Sequence, residues 1–258
     1  MPETDTRIIA IGAEQPLQQL AEELLVDLYK ENVPIELPGD YWFLHFSGDR
    51  LCLSHSSKEH LQNIHADLSL NGHRFSSQKK LAHELLIKAI GGVAGSSLRI
   101  VDATAGLGTD ALLMAAAGHE LTMVEQSPVL AALLEQALAL DSLELDSVPK
   151  LTLCKGDAVQ RLPELADQIC PHIVYLDPMF PTHGKSSLAR KQLQALKELL
   201  PVVPARGEAL LLETALQAAS HRVVVKRPMR AHPLPGPKPG FSYKGKLVRY
   251  DCYAIAKL

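Results

Sequence analysis

Val101-Asp102-Ala103-Thr104-Ala105-Gly106-Leu107-Gly108-Thr109-Asp110 decides how this chain folds. An apolar run from Leu98 to Val101 stops at an acid and gives way to two glycines one residue apart, the pattern of a buried strand turning sharply into a helix. Without Cβ atoms at Gly106 and Gly108 the backbone can come close to a ligand at the helix N-terminus. With Ala111 the spacing also satisfies the dinucleotide fingerprint G-x-G-x-x-G/A. Charge separates the two readings. A pyrophosphate would lie close to Asp102 and Asp110, and unpaired like charges in a shielded cleft cost several kcal/mol at ε of roughly 20. S-adenosylmethionine (SAM) has no phosphate and brings a sulfonium and an ammonium, which those carboxylates attract.

Outward from this turn, helix and strand alternate, as in a mostly parallel, doubly wound α/β sheet covered on both faces. Further strands are expected at Leu121 to Val124, Leu151 to Cys154, Ile173 to Leu176 and Val223 to Val225. Helices are expected at Asp110 to Ala117, Val129 to Leu140, Leu188 to Leu200 and Glu208 to Ala219. Ser76 or Ser77 can cap a helix running through Leu81, Leu85 and Ile90 to Gly91-Gly92. After a proline-rich loop at Pro233 to Gly240, a strand from Leu247 to Ile255 closes the chain. Residues 1–75 read as a small α/β subdomain before the main domain, 76–258. It has a strand at Arg7 to Ile11, a helix behind Pro16, and a hairpin from Tyr41 to Leu53 turning at Ser47-Gly48-Asp49. It also holds the single tryptophan, Trp42. A lid or an RNA-facing platform are the roles open to it.

In such sheets the carboxyl ends of the strands share one edge, where ligands bind. Glu125 ends the second strand about 20 residues past the glycines, where a carboxylate can accept from both ribose hydroxyls. Gln126 beside it can add an adenine or ribose contact. Asp157, in Cys154-Lys155-Gly156-Asp157-Ala158, ends the third strand. There it can accept from the adenine amino group while the Ala158 amide donates to a ring nitrogen, although a Gly-Asp pair also makes turns and helix N-caps. The fourth strand ends in Asp177-Pro178-Met179-Phe180-Pro181. Methyl transfer to an exocyclic amine needs nitrogen, methyl and sulfur in line and the nitrogen lone pair kept out of the ring. The Asp177 carboxylate and a proline-fixed carbonyl at Pro178, both accepting from the NH2, would aim that lone pair and stabilise the developing positive charge. Phe180 can stack on a flipped or single-stranded base. This grip suits any exocyclic amine, so adenine N6 stays open beside guanine N2, as does a non-catalytic RNA-binding role. Cytosine-C5 chemistry is set aside, because neither Cys154 nor Cys170 lies in a loop suited to that nucleophile.

Asp102 to Gly108, Tyr175 to Pro181 and Val223-Val224-Val225-Lys226-Arg227-Pro228 resemble the RsmJ family of bacterial small-subunit ribosomal RNA guanine-N2 methyltransferases. The similarity runs from about Phe75 to the C-terminus, with Met179 where the wider amino-methyltransferase pattern has a second proline. It implies a class I SAM-dependent methyltransferase, Rossmann-like in fold, that makes N2-methylguanosine near the 3′ end of 16S ribosomal RNA, with the small ribosomal subunit as the implied partner. It further implies a SAM pocket at Thr109, Asp110, Glu125, Gln126, Asp157, Ala158 and Asp177.

Composition agrees with these readings. The chain has 258 residues, 47% hydrophobic and 21% charged, enough for one large α/β domain and an appendage. Its four cysteines are scattered, with no C-x-x-C pair and no clustered histidine, so no metal site and no disulfide framework is expected. The acidic start Met1-Pro2-Glu3-Thr4-Asp5 is unlike a signal peptide, and no apolar run reaches the roughly 18 residues that span a bilayer. A cytoplasmic protein without membrane contact follows as the expectation. The net charge of −3 conceals a stretch from Arg222 to Arg249 with eight basic residues and no acid. Such a stretch is either a positive face for polyphosphate or a solvated loop.

Overall fold

The computed structural model describes residues 8–29, 40–58, 61–69, 81–92, 97–140, 150–178 and 205–256. Its first part is a four-stranded sheet formed by β1 (Ile8–Ile11), β2 (Asp27–Tyr29), β3 (Trp42–Ser47) and β4 (Arg50–His55), ordered β2-β1-β3-β4. Helix α1 (Gln15–Leu24) connects the first two strands, with proline in its first turn as anticipated. The hairpin closes where Ser47 pairs with Arg50. Trp42 is buried, its ring edge-on to His55 at 4.9 Å, so it offers no stacking surface to RNA.

The small sheet is not a separate body. Its apolar residues, Trp42, Leu44 and Leu53 among them, belong to the same core as Leu130, Leu133 and Leu134 of the main domain. At its rim the Gln136 amide donates to the Asp49 carbonyl at 2.6 Å. The boundary expected near residue 75 lies outside the described residues.

The main sheet has seven strands. Helix α2 (Leu85–Ile90) leads into β5 (Arg99–Asp102), followed by α3 (Thr109–Ala116), β6 (Glu120–Glu125), α4 (Pro128–Leu140), β7 (Leu151–Lys155) and α5 (Ala158–Ile169). Then come β8 (Ile173–Leu176), α6 (Ala205–Ala218), β9 (Arg222–Pro228), β10 (Phe241–Lys244) and β11 (Val248–Ala254). The order is β10-β11-β9-β8-β5-β6-β7. Five strands are parallel; β11 runs antiparallel between β9 and β10. The central strands β5, β6, β8 and β9 are buried on both faces. Ile100, Met123, Tyr175 and Val224 enter one core, while their neighbours Val101, Val124, Val174 and Val225 enter the other, which is why they read as unbroken apolar runs.

Two local expectations change. The helix expected from Ser76 through Ile90 is interrupted before Leu85, because Glu84 is extended (φ −65°, ψ 133°) and starts α2 afresh. Its C-terminus is as expected, with Gly91 left-handed at φ 116°. Helix α5 has no counterpart in the sequence reading, because Pro163 inside it reads as a breaker. Burial of Ala158, Leu162 and Leu165 against the sheet nevertheless holds it. The helix expected at Leu188 to Leu200 and the cap at Ser76 or Ser77 lie outside the described residues.

Candidate active site

Strand order puts the site where β5 has β6 on one side and β8 on the other, since the chain leaves that point in opposite directions and opens a crevice at the carboxyl ends. Beyond Asp102 the backbone turns through Gly106 (φ 59°) and Gly108 (φ 78°), and Gly108 caps α3. Gly108 has a second constraint, because a Cβ there would sit 2.9 Å from side-chain carbons of both Leu68 and Leu134. A Cβ at Gly106 meets nothing within 4 Å, so that side of the turn faces open space.

Glu125 locks the turn. One carboxylate oxygen accepts from the Gly106 amide at 2.8 Å and the other from the Ser127 amide at 2.7 Å. Burial raises its pKa, and these amides oppose the rise. The Gly156 amide donates to the Glu125 carbonyl at 2.9 Å and brings the end of β7 alongside. There Asp157 is the N-cap of α5, accepting from the Val159 amide at 2.9 Å, so the cap role open to this Gly-Asp pair is realised. Ala158 is buried behind it, and Gln126 and Thr109 are exposed beside the crevice.

Register assembles the other half. Asp102 pairs with Tyr175, and Leu176 with Val225. One residue further, Asp177 emerges beside Lys226. The Lys226 Nζ lies 3.0 Å from Asp177 Oδ2 and 2.7 Å from Asp110 Oδ2, and the Tyr175 hydroxyl also donates to Asp110 Oδ2 at 2.6 Å. The Thr104 hydroxyl accepts from the Asp177 amide at 2.6 Å and ties the end of β8 to the turn. Asp102 lies behind this group, 1% exposed, accepting from the Thr104 amide at 3.1 Å. Burial pushes its carboxyl up to about 8. Burial alone would lower the Lys226 pKa, but Asp110 and Asp177 outweigh it and keep the value above that of an ordinary lysine.

The expected residues thus fall into two groups: Gly106, Gly108 and Glu125 in the turn, with Asp157 and Ala158 alongside, and Asp102, Asp110 and Asp177 in an acidic pocket. Pro178 is buried directly after Asp177, and Phe180 lies outside the described residues. Lys226, Tyr175 and Thr104 join the site without having been given a role by sequence, although all three stand in the motifs that carry the family resemblance. An acid-tipped strand beside a strand ending in lysine was the available signal.

SAM fits these residues better than a dinucleotide. The Gly106 amide that a pyrophosphate would need is already given to Glu125. The Asp110 and Asp177 carboxylates, gathered about the Lys226 ammonium, attract the sulfonium and ammonium of SAM and would repel a pyrophosphate.

The basic stretch is only half a surface. Arg249 and Arg227 are buried, Arg222 donates to the Ala89 carbonyl at 2.6 Å, and Lys226 is in the pocket. Arg230, Lys238, Lys244 and Lys246 are exposed. No helix among the described residues is long and apolar enough to cross a membrane.

A family described as "Putative SAM-dependent methyltransferase" matches residues 32–255. The ribosomal RNA small subunit methyltransferase J of Alkalilimnicola ehrlichii is 40% identical over 239 residues, covering 91% of this chain and 89% of that protein. Its namesake in Ectopseudomonas mendocina is 41% identical over 182 residues, covering 68% and 67%, and that in Pseudomonas aeruginosa is 42% identical over 177 residues, covering 66% and 65%. Among solved structures, a SAM-dependent methyltransferase from Neisseria gonorrhoeae superposes with a TM-score of 0.67 at 28% identity, covering 95% of both chains. With the strand order and acidic pocket described above, these similarities show that the chain belongs to the ribosomal RNA small subunit methyltransferase J family, SAM-dependent enzymes of class I fold.

Proposed function

We propose that this protein methylates the exocyclic N2 amine of one guanosine in 16S ribosomal RNA within the small ribosomal subunit. The observation that carries the reading is the Asp177-Pro178 strand end, anchored through the Thr104 hydroxyl and gathered with Asp110 about Lys226. SAM supplies a methyl group on a sulfonium leaving group. Asp177 and the Pro178 carbonyl accept the two amine hydrogens, turn the nitrogen lone pair toward the methyl carbon, and stabilise the positive charge that grows on nitrogen. As the N–C bond forms the C–S bond breaks, and the amine then loses one proton to solvent. Glu125 keeps lone pairs for the ribose hydroxyls, Asp157 has its second oxygen for the adenine amine, and the Ala158 amide can meet a ring nitrogen. Gln126 and Thr109 border that cofactor path. Phe180 is assigned the face of the target base. The four exposed basic residues after β9 are assigned the RNA backbone, and the substrate class implies a cytoplasmic location.

The test is incubation with radiolabelled SAM and small subunits lacking their own modifications, followed by chromatography of the digested nucleosides. Label is expected in N2-methylguanosine, with Asp177→Ala lowering the rate by about 10²–10³ or more while RNA binding persists. Label in N6-methyladenosine alone, or undiminished turnover by Asp177→Ala, would overturn the reading.

A further inference from the structure

We infer that Lys226 is the base-specificity residue, donating a hydrogen bond to the O6 carbonyl of the target guanine; this rests on the N2-methylation reading above. A lysine ammonium has three N–H donors and no acceptor. Two are directed at Asp110 and Asp177, which leaves one for a ligand. The side chain keeps 24% of its surface exposed. It is also held in place, because Asp110 is fixed by the Tyr175 hydroxyl and Lys226 is paired across strands with the buried Tyr250.

The order of groups matters more than any single hydrogen bond. With the amine held by the Pro178 carbonyl and Asp177 as proposed above, the next group is the Lys226 ammonium, 3.0 Å from Asp177 Oδ2, and the series reads acceptor, acceptor, acceptor, donor. The Watson–Crick edge of guanine presents the two N2 hydrogens, the N1 hydrogen and the O6 lone pairs: donor, donor, donor, acceptor. The two series are complementary along their whole length. Adenine gripped by its N6 amine would set its N1 lone pair against a carboxylate oxygen, and cytosine gripped by N4 would do the same with N3. Beyond that nitrogen adenine offers only a C–H; cytosine offers its O2 carbonyl, but only after the N3 repulsion. Such mismatches leave buried polar groups unpaired, which is how a hydrogen-bonding site rejects the wrong base. Lys226 therefore supplies what the Asp-Pro motif lacks, a reason to choose guanine among exocyclic amines.

The experiment pairs a side chain with a substrate group. Small subunits are assembled from 16S ribosomal RNA carrying either guanosine or 2-aminopurine riboside at the target position, introduced by ligation. 2-Aminopurine keeps the 2-amine and lacks O6. Its missing N1 hydrogen is corrected for in each variant with 1-deazaguanosine, which keeps O6 and the 2-amine but has a C–H in place of N1–H, because Asp177, the N1 partner, is itself paired with Lys226. The native protein is expected to prefer guanosine by at least about a hundredfold in kcat/KM. In Lys226→Met that preference should shrink by about 10- to 100-fold, and in Lys226→Arg, which keeps charge and donors, it should stay within about threefold of native. SAM binding by each variant checks that it is folded. Equal losses on both substrates in Lys226→Met, with the ratio intact, would reveal a purely structural lysine and overturn the inference, as would a raised KM for SAM alone. If Lys226→Met does not fold, loss of the guanosine preference in Lys226→Arg or its survival in Lys226→Ala decides against the inference. Failure of the native protein to methylate the guanosine amine at all would instead bring down the methylation reading on which it rests.

Discussion

Two ionic clusters flank β9, and they are built on opposite plans. On one side every nitrogen of the Arg249 guanidinium has an acceptor. Nε and Nη2 meet the two oxygens of Asp251 at 2.8 and 3.0 Å, and Nη1 serves the carbonyls of Pro228, Met229 and Ala231 at 2.7–3.0 Å. Asp251, 1% exposed, also receives the Ser242 hydroxyl at 2.6 Å. On the other side Lys226 is shared between two carboxylates, Asp110 and Asp177, and all three side chains are part-exposed. The first cluster balances its charge and fixes the chain that follows β9. The second gathers two carboxylates about one ammonium at part-exposed strand ends, within reach of a ligand. A closed buried cluster serves architecture, and an open one is placed to serve a ligand.

Breaking the closed cluster should have the larger effect. Arg249→Met leaves Asp251 buried without its counter-ion and three carbonyls without a donor. The expected loss is about 3–5 kcal/mol of stability, read from urea unfolding. Replacing both partners by apolar residues, Arg249→Met with Asp251→Leu, should recover much of it, because the penalty is the orphaned charge rather than the missing attraction. A loss under about 1 kcal/mol for Arg249→Met would erase the contrast between the clusters.

The open cluster sharpens the contrast through pH. Below about pH 4 Asp102 is protonated in both folded and unfolded chains. Between there and its folded pKa of about 8 the unfolded chain has released the proton and the native protein keeps it, so ligand-free stability falls as pH rises across that window. Above it both states are ionised and the slope ends. Asp102→Asn should flatten this dependence and raise the melting temperature near pH 8. A SAM ammonium in the proposed site reverses the preference by favouring ionised Asp102. Native affinity should therefore increase by about tenfold from pH 6 to pH 8, and the Asn variant should show little change by calorimetry. Equal pH slopes in both proteins would remove Asp102 from the pocket's electrostatics.

What the sequence revealed was local, and what it hid was not. Asp102, Gly106 and Gly108, Glu125 and Asp177 could be placed because each ends or follows a strand, and strand order alone brings such ends together. Lys226 escaped because its partners lie 116 residues away at Asp110 and on a neighbouring strand at Asp177, a juxtaposition that exists only once Leu176 is registered against Val225. Helix α5 escaped because Pro163 outweighs its amphipathic spacing when only propensity is considered, whereas burial of Leu162 and Leu165 decides the matter in the fold. In the basic stretch, composition shows the charges but not their direction. Arg227 and Arg249 resemble Lys244 and Lys246 in sequence, yet strand pairing turns the first two inward.

That division gives the smallest and most selective prediction. Of the lysines and arginines from Arg222 to Arg249, only Arg230, Lys238, Lys244 and Lys246 are exposed to a polyanion. Every phosphate that is no longer neutralised should reduce the slope of log affinity against log salt by about 0.7 to 0.9. Lys244→Gln with Lys246→Gln should therefore flatten the slope by the equivalent of roughly one to two phosphates, with stability unchanged because neither side chain is inside the fold. Arg249→Met should act the other way, lowering stability while leaving the slope of the molecules that remain folded close to native. Identical slopes for the lysine pair and the native protein would return this edge of the sheet to ordinary solvated surface, and RNA binding would have to be sought on another face.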